Sequence, residues 1–323
     1  MGLGASDDML DILKANCGFD EPERWVEYAR RYGFRKVAAT RLTACPDCEG
    51  QRLTEVGRYV YYSQLVRLQH CRSCDLLFSD VRLNSATIEA HFQTAYKDDA
   101  YFEIARAGIF GQLRDLMVAR FGNKKTILDV GGAKGHLARI LSKAGFSVTV
   151  NDLSADACAY ARDVFGLSTI VGDFGDLSDC RGRFDVLLLI DVLYCVPELR
   201  RAWSVIGKLV ADDGVIILRI PNRLWWMLPW QHALHALGRR PFQTVVRGLN
   251  PEHIYVFKNS YLRRRLESAG FRHVEFIPSV PLAGERLLRH AVAWGLGAAC
   301  SALFRLTGGR LLISPSQFVI AER

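Results

Sequence analysis

From residue 125 onward, short apolar runs alternate with stretches in which apolar residues recur every three or four positions. The short runs predict β-strands, and the longer period predicts helices between them. The run from Phe184 to Ile190 is almost continuously apolar, as expected of a central strand covered on both faces. The pattern therefore predicts an α/β fold with a doubly wound parallel sheet, which binds ligands beyond the carboxyl ends of its strands. The predicted strands are 126–130, 147–150, 168–171, 184–190 and 214–220.

A glycine-rich turn, D-x-G-x-A-x-G from Asp129 to Gly135, follows the first predicted strand. A nicotinamide- or flavin-binding turn requires the pattern G-x-G-x-x-G. Counted from Gly131, this chain has Ala133 and His136 in place of the second and third glycines, and it contains no P-loop sequence. Small residues at these positions let the backbone approach a ligand closely. The turn therefore argues against a dinucleotide and against a P-loop ligand.

The turn resembles motif I of class I S-adenosylmethionine (SAM)-dependent methyltransferases, D/E-x-G-x-G-x-G, with Ala133 in place of the middle glycine. Acidic residues stand at three successive strand ends, at Asp129, Asp152 and Asp173. The resemblance implies that Asp129 binds the SAM ammonium group directly or through water, and that Asp152 accepts from both ribose hydroxyls. It also implies that Asp173 accepts from the adenine amino group, with Phe174 against the ring or offering its backbone N–H. The cofactor-binding candidates are Asp129, Gly131, Ala133, Gly135, Asp152, Leu153, Asp173, Phe174 and Asp191.

Later segments resemble further motifs of the same family. Phe184 to Val196 is similar to "FDVV…DVLEHV", with Tyr194-Cys195 where glutamate and histidine are usual. Ala211 to Asn222 is similar to "LKPGGxLLLxxPN". Phe271 to Ser279 and Gln317 to Arg323 resemble the last antiparallel strand pair. The resemblance thus implies a Rossmann-like methyltransferase core.

Four cysteines form two C-x2-C pairs, Cys45 with Cys48 and Cys71 with Cys74, and 22 residues separate the pairs. Two pairs at this spacing are typical of a zinc ribbon, because a tetrahedral zinc site needs four such ligands. The stretch 52–69 between them is rich in Val, Tyr and Leu, which predicts a hairpin. A site closed by four cysteines has no open coordination position, so we expect a structural zinc ion.

The N-terminal half also resembles a narrower group of bacterial methyltransferases with an N-terminal zinc-binding domain, many of which act on sugars or natural products. Cys71 to Phe78, His91-Phe92 and Tyr96 to Phe102 carry this likeness, which extends over roughly residues 43–323. The implied organisation is a helical extension at 1–42, a zinc ribbon at 43–80, a helical connector or lid at 81–125, a SAM-binding core at 126–222, an aromatic insertion and substrate loop at 223–260, and C-terminal helices with the last strand pair at 261–323.

A catalytic base is needed only where the methyl acceptor must lose a proton. The first candidate is His253, beside Glu252 and just before a helix that Asn259 or Ser260 is expected to cap. A similar E-H pair is catalytic in sugar C-methyltransferases, but those enzymes have a tyrosine where this chain has Asn250. The alternative is that His253 only fixes its loop by hydrogen bonding.

Aromatic residues supply the remaining candidates. Tyr194 is a second candidate base, and ring packing against the cofactor is the alternative. Tyr96 and Tyr101 either close over SAM or pack between helices. The insertion before His253 forms an acceptor pocket or a lid, or else contacts a membrane surface or a second subunit. It contains Trp225, Trp226, Trp230, His232 and His235.

The chain carries a formal net charge of +8 and has a pI of about 9.1, which favours anionic partners, with a solvated basic surface as the alternative. Its longest uncharged apolar run, Ala291 to Phe304, is shorter than the roughly 20 residues of a bilayer span, which predicts a buried or interfacial helix. The first residues lack the pattern of a signal peptide. We therefore expect a cytoplasmic protein, monomer or homodimer, whose nine cysteines stay reduced.

Together these features favour SAM-dependent methyl transfer to a small-molecule acceptor, such as a glycan precursor, a nucleotide sugar or a secondary metabolite. The main enzymatic alternative is an RNA methyltransferase that contacts RNA through the zinc ribbon. The ribbon has no Lys/Arg stripe with interleaved aromatic residues, so we expect no nucleic-acid partner. A third alternative is a SAM-binding protein without turnover, since Ala133 and Cys195 depart from the family motifs.

Overall fold

The structure is a computed structural model that describes residues 39–61, 64–84, 101–180, 184–222, 253–282 and 287–323. These residues fall into two compact units. The four-cysteine unit contains the described residues from 39 to 84 and from 253 to 256. The α/β unit contains those from 101 to 222 and from 257 to 323.

The described residues form strands, α-helices and three short helical turns. The strands are β1 (Ala39–Arg41), β2 (Leu53–Tyr61), β3 (Gln64–Cys71), β4 (Leu77–Ser79), β5 (Val81–Leu83), β6 (Thr126–Val130), β7 (Ser147–Asp152), β8 (Ser168–Val171), β9 (Phe184–Ile190), β10 (Val210–Pro221), β11 (Tyr255–Val256), β12 (Arg272–Ser279) and β13 (Ser316–Glu322). The α-helices are α1 (Ala107–Phe121), α2 (His136–Lys143), α3 (Ala155–Phe165), α4 (Leu199–Leu209), α5 (Asn259–Ser268) and α6 (Leu287–Leu306). The turns are a π-helical turn at Tyr101–Ala105 and 3-10 turns at Asp176–Asp179 and Leu193–Cys195.

A seven-stranded sheet organises the α/β unit, with the strand order β12-β13-β10-β9-β6-β7-β8. Strands β6 to β10 run parallel, and β13 pairs antiparallel with both β10 and β12. The predicted α/β fold with a doubly wound sheet and a final antiparallel pair is therefore confirmed. The strand order reverses between β6 and β9, and such sheets bind ligands at this switch point.

One apolar core joins the sheet to the helices beside it. Strand β9 contributes Val186, Leu188 and Ile190 to this core, and Leu113 of α1 and Leu141 of α2 pack into it. All five side chains are buried. Because burial of one such side chain contributes about 1.5–3 kcal/mol, this core holds the carboxyl ends of β6 and β9 in fixed positions.

The N-termini of α3 and α5 differ in their caps. The Ser154 hydroxyl accepts a hydrogen bond from the Ala157 backbone N–H at 3.2 Å and so caps α3. Helix α5 begins at Asn259 without a side-chain cap, so the cap predicted at Asn259 or Ser260 is wrong. The Asn259 amide instead pairs with the Gln317 amide at 2.6 and 3.3 Å. This side chain therefore joins α5 to β13 and is not available to the helix N-terminus.

The four-cysteine unit has a four-stranded sheet with the order β11-β4-β3-β2. Strands β2 and β3 form the hairpin that was predicted between the cysteine pairs. Strand β4 follows the second cysteine pair and pairs antiparallel with β3 and with β11. Strands β1 and β5 form a separate antiparallel pair. A segment from much later in the chain, β11, is thus an edge strand of this sheet.

Among the helices that the structure describes, none is long and apolar enough to cross a membrane.

Several predicted residues lie outside the described ranges. The backbone of Tyr101 begins the π-helical turn. The predicted residues outside the described ranges are Tyr96, Trp225, Trp226, Trp230, His232, His235 and Glu252, together with most of the N-terminal extension.

Candidate functional site

The turn after β6 has backbone angles that favour small residues. The φ angle is 66° at Gly131, 50° at Ala133 and 77° at Gly135, and glycine adopts this left-handed region without a steric penalty. A Cβ atom at Gly131 would lie only 2.5 Å from Cγ2 of Val192. A larger residue at Gly131 would therefore clash with Val192, so the turn is restricted to small side chains. Ala133 stands in it where a glycine would be less strained.

Asp129 lies in β6 with its carboxyl group buried. Its Oδ2 atom has no hydrogen-bond partner among the described residues, and a Cβ atom at Gly132 would lie 2.8 Å from that oxygen. Burial raises the pKa of Asp129 to about 7, while the Arg106 charge lowers it and the Asp152 charge raises it. A buried acceptor without a donor costs stability. This carboxyl group therefore fits a ligand that brings its own N–H or O–H donor to the turn.

Asp152 is the last residue of β7, two residues beyond the predicted strand end, and it is buried. One carboxylate oxygen accepts from the Ala133 backbone N–H at 2.9 Å, and the other accepts from the Ser154 backbone N–H at 2.9 Å. Asp152 therefore holds the glycine turn against β7, and its contact with the ribose stays a prediction. Leu153 beside it is 41% exposed.

The third acidic position, Asp173, follows β8 and is exposed. Its Oδ1 atom accepts from the Gly175 backbone N–H at 2.5 Å, and its own N–H donates to Oδ2 of Asp176 at 2.8 Å. Phe174 is buried next to it. These contacts fix the loop at the end of β8, and the adenine contacts of Asp173 and Phe174 stay predictions.

Asp191, after β9, lies between two arginines. Its two oxygens accept from Nη1 of Arg219 at 2.6 Å each, and Nη2 of Arg106 also donates to it. Arg219 is only 3% exposed and further donates through Nε to the Ser279 hydroxyl at 2.8 Å. A carboxylate that accepts hydrogen bonds from two arginines holds both side chains in place. Asp191 was predicted to bind cofactor, and in this structure it organises an Arg106–Asp191–Arg219 cluster.

Sequence motifs alone do not identify Arg106, Arg219 or His136 as residues near the site. Arg219 occupies a variable position of the "LLLxxPN" motif, and Arg106 lies in no motif, so only the fold brings them together. His136 is buried at the start of α2, with its ring centroid 5.5 Å from that of Phe165.

A small cavity lies at the carboxyl end of β6, against the glycine turn. Its volume of about 20 Å³ holds one water molecule and is far below the roughly 300–1,000 Å³ of pockets that enclose a ligand. A SAM-sized ligand would therefore extend beyond this cavity. The cavity is lined by Arg106, Phe110, Asp129, Gly131, Gly132, Ala133, His136, Leu137 and Ile190.

Tyr194, the second candidate base, is buried in the 3-10 turn after β9. Burial raises its pKa well above the ordinary value, and the charge of Asp191 acts in the same direction. A phenol in this setting stays protonated at neutral pH. The surroundings of Tyr194 therefore favour ring packing or hydrogen-bond donation over proton abstraction.

The four cysteines converge as the sequence predicts. The sulfur of Cys45 lies 3.6 Å from that of Cys74, and the sulfur of Cys48 lies 3.5 Å from that of Cys71. All four sulfur atoms lie within 4.8 Å of one another. Four ligands at about 2.3 Å from a tetrahedral zinc ion would be about 3.8 Å apart. The donor set and its spacing therefore fit a zinc ion.

The two cysteine knuckles repeat one backbone conformation. Glu49 and Asp75, each directly after the second cysteine of its pair, have φ angles of 59° and 70°. Each donates its backbone N–H to the carbonyl of the first cysteine, Cys45 or Cys71, at 2.9 Å. Thiols so close together do not all ionise without a cation, which is the charge that a zinc ion supplies.

His253 is half-buried and lies two residues before β11. Ile254 accepts through its carbonyl from the Ser79 backbone N–H at 2.9 Å, and Tyr255 is opposite Phe78 in the β4–β11 pair. The Tyr255 hydroxyl accepts from Nη2 of Arg82 at 3.0 Å. The backbone that follows His253 is therefore anchored to the sheet of the four-cysteine unit.

A doubly wound sheet with a glycine turn at its switch point defines the class of Rossmann-like, class I methyltransferase folds. Residues 101–275, just over half of the chain, match the family model described as "Methyltransferase domain". The chain belongs to this methyltransferase family.

Individual relatives match only part of the chain, and their sequence identity is low. Nodulation protein S of Azorhizobium caulinodans is 30% identical over 37% of this chain and 62% of its own length. The ubiquinone biosynthesis O-methyltransferase of Pseudomonas paraeruginosa is 27% identical over 38% of this chain and 59% of its own length. The matches thus span less than two thirds of these relatives. Among solved structures, a SAM-dependent methyltransferase from Archaeoglobus fulgidus aligns with a TM-score of 0.47 and 15% identity over 70% of this chain and 97% of the other.

Proposed function

We propose that this protein transfers the methyl group of SAM to a small-molecule acceptor, with the cofactor bound at the turn after β6. The observation that carries the proposal is the buried Asp129 oxygen, which has no hydrogen-bond partner among the described residues and lies beside a turn of small residues. SAM supplies an activated methyl group and an ammonium group that can donate to this oxygen. Asp152 is positioned by two backbone N–H groups to accept from the ribose hydroxyls. The chain's own contribution is then to orient the donor and to exclude water.

The chemistry of the relatives supports a small-molecule acceptor. The Pseudomonas paraeruginosa relative is named for ubiquinone biosynthesis and O-methylation. A glycan precursor, a nucleotide sugar or a secondary metabolite remains the acceptor class that we propose, in the cytoplasm. An RNA acceptor would give salt-dependent retardation of RNA in a gel-shift assay, and we expect none. A protein that only binds SAM would show tight binding and no turnover with any acceptor.

The ribose assignment is tested by Asp152→Ala. This change leaves the backbone N–H groups of Ala133 and Ser154 without their acceptor, so it lowers the melting temperature as well as removing the ribose contact. We expect the increase in melting temperature caused by SAM to be lost, which differential scanning fluorimetry measures.

Ser154→Ala is the matched control for this test. It removes the α3 cap, which costs about 0.5–2 kcal/mol, but it removes no predicted SAM contact. The control should therefore show a lower melting temperature and a full SAM-induced increase. A full increase in the Asp152→Ala protein would refute the ribose role.

We further propose that zinc holds the four-cysteine unit together, that this unit anchors the backbone next to His253, and that His253 is the catalytic base. Strand β4 begins three residues after Cys74 and pairs with β11, which begins two residues after His253. The proposed zinc ion is thus connected to His253 through the second cysteine pair, β4 and β11. In this arrangement the zinc ion takes no part in the chemical step.

The base assignment predicts that His253→Ala lowers turnover by about 10²- to 10⁴-fold while the affinity for SAM is unchanged. S-adenosylhomocysteine release measures turnover, and calorimetry measures affinity. His253→Gln separates the two roles, because glutamine keeps hydrogen bonds and cannot act as a base. Normal turnover of the glutamine variant would assign His253 to loop structure only. His273→Ala, at an exposed position of β12, is the control and should leave turnover unchanged.

A further inference from the structure

From Ala291 to Leu306, the described outward face of helix α6 is apolar apart from Arg305. Trp294 is 75% exposed and Leu306 is 85% exposed, although both are large apolar side chains. Surface helices normally place polar residues on their outward face, and a helix that is apolar on all sides is usually covered. The exposed residues of the described face are Ala291, Trp294, Gly295, Ala298, Ala299, Ala302, Arg305 and Leu306.

The opposite face of α6 already packs against its own unit. Cys300 is buried, and a Cβ atom at Gly297 would lie 3.0 Å from Cδ of Pro281 and 3.7 Å from Cγ1 of Val280. The outward face therefore does not become buried by a small rotation of the helix. Its anchors, Trp294 and Leu306, are about 18 Å apart along the axis because each residue rises about 1.5 Å.

The charged residues of α6 and of the segment that follows it have a single sign. Residues 287–315 contain three arginines and no aspartate or glutamate, and Glu285 precedes the helix in the sequence. Arg305 is on the outward face itself, and Arg310 is exposed just beyond the helix. Exposed tryptophan and leucine flanked by arginine are the side chains by which helices bind in the plane of an anionic membrane surface. A positively charged surface of this kind is complementary to anionic lipid headgroups.

We propose that the outward face of α6 docks onto an anionic lipid bilayer. Trp294 and Leu306 enter the interface between headgroups and acyl chains, while Arg305 and Arg310 pair with lipid phosphates. The alanines and glycine between the anchors let the helix lie flat on the surface. Val280 packs against α6, and its carbonyl accepts a hydrogen bond from Nη2 of Arg219 at 3.3 Å. The docked helix is therefore next to the Arg106–Asp191–Arg219 cluster.

Co-sedimentation of the full chain with vesicles tests this proposal. Vesicles of equal parts phosphatidylglycerol and phosphatidylcholine should bind the protein at about 0.1 M salt, and pure phosphatidylcholine vesicles should bind it far less. Binding should fall at about 1 M salt, where the Debye length shortens from about 10 Å to about 3 Å. The double variant Trp294→Gln/Leu306→Gln should bind at least about tenfold more weakly, since two exposed apolar anchors are lost.

Matched controls are Val118→Gln and Val164→Gln, which remove apolar side chains that are 53% and 57% exposed on α1 and α3. They should bind vesicles like the unchanged protein. The proposal fails if anionic vesicles do not bind the protein, or if the α6 double variant binds them as well as the controls do. It also fails if sedimentation velocity shows a dimer that only the α6 variant dissociates, because a second copy would then cover this face.

Discussion

Replacing one cysteine knuckle, Cys45→Ser with Cys48→Ser, is expected to remove the zinc ion and to unfold the four-cysteine unit. Structural zinc contributes about 10–16 kcal/mol to the folding of zinc-finger peptides. Without the ion, the four sulfur atoms within 4.8 Å offer one another only weak S–H bonds. Metal analysis should give about one zinc per chain before the change and none after it.

The same variant separates the two units functionally. Every residue predicted to bind SAM belongs to the α/β unit, so the SAM-induced increase in melting temperature should persist. Turnover should be lost, because the strand after His253 pairs with β4 next to the second knuckle. Loss of SAM binding together with turnover would contradict the proposed division of roles.

Cys300→Ser provides a matched control for the knuckle variant. Cys300 is also a buried thiol, but it lies in α6 and outside the cysteine cluster. Its replacement should leave the zinc content unchanged. A folded four-cysteine unit that contains no metal, in either protein, would refute the ribbon as a zinc site.

Local patterns of apolar residues predicted two of the parallel strands with the correct bounds. The continuous apolar run of β9 and the short run of β8 match the predicted bounds. Strand β7 extends two residues further than predicted, because the side chains of Asn151 and Asp152 make hydrogen bonds that a polar pattern does not reveal. The Asn151 side chain donates to the carbonyls of Ile170 and Gly172 at 3.0 and 2.9 Å.

Long-range partners account for what the sequence could not predict. Arg219 of β10 reaches Asp191 after β9, and Arg106 reaches it from the start of α1, so three distant segments form one cluster. The two-residue strand β11 has no periodicity of its own, and only its pairing with β4 defines it. Helix α6 was predicted as buried or interfacial, and its exposed apolar face makes the interfacial alternative the basis of the membrane proposal.

Asp129→Asn is expected to stabilise the protein without SAM and to weaken SAM binding. Burial raises the pKa of Asp129 to about 7, whereas the unfolded chain has the ordinary value near 3.8. The folded state therefore binds the proton more tightly, and stability is lost as the pH rises from about 4 to about 7. This difference in pKa between the folded and unfolded states corresponds to about 4 kcal/mol of unfolding free energy. Asparagine stays neutral, so the variant should exceed the unchanged protein in unfolding free energy at pH 8 and match it near pH 4.

SAM affinity should change in the opposite direction. The ionised Asp129 carboxylate is the partner that we propose for the SAM ammonium group, so the affinity of the unchanged protein should increase as the pH rises through about 7. A hydrogen bond between charged groups contributes about 1.5–3 kcal/mol, so Asp129→Asn should bind SAM about 10- to 100-fold more weakly at pH 8. Calorimetry across this pH range measures both effects.

Asp185→Asn is the control with the reverse pH dependence. Although burial acts to raise its pKa, backbone N–H groups of Thr126 and Lys125 at 2.9 and 2.8 Å donate to Asp185 and hold the pKa below its ordinary value. Ionised Asp185 therefore stabilises the fold above about pH 4, and its replacement should destabilise the protein there without changing SAM affinity. Asp129→Asn is expected to combine a gain in stability with a loss of affinity. If it instead lowers stability at pH 8, Asp129 serves the fold and not the cofactor.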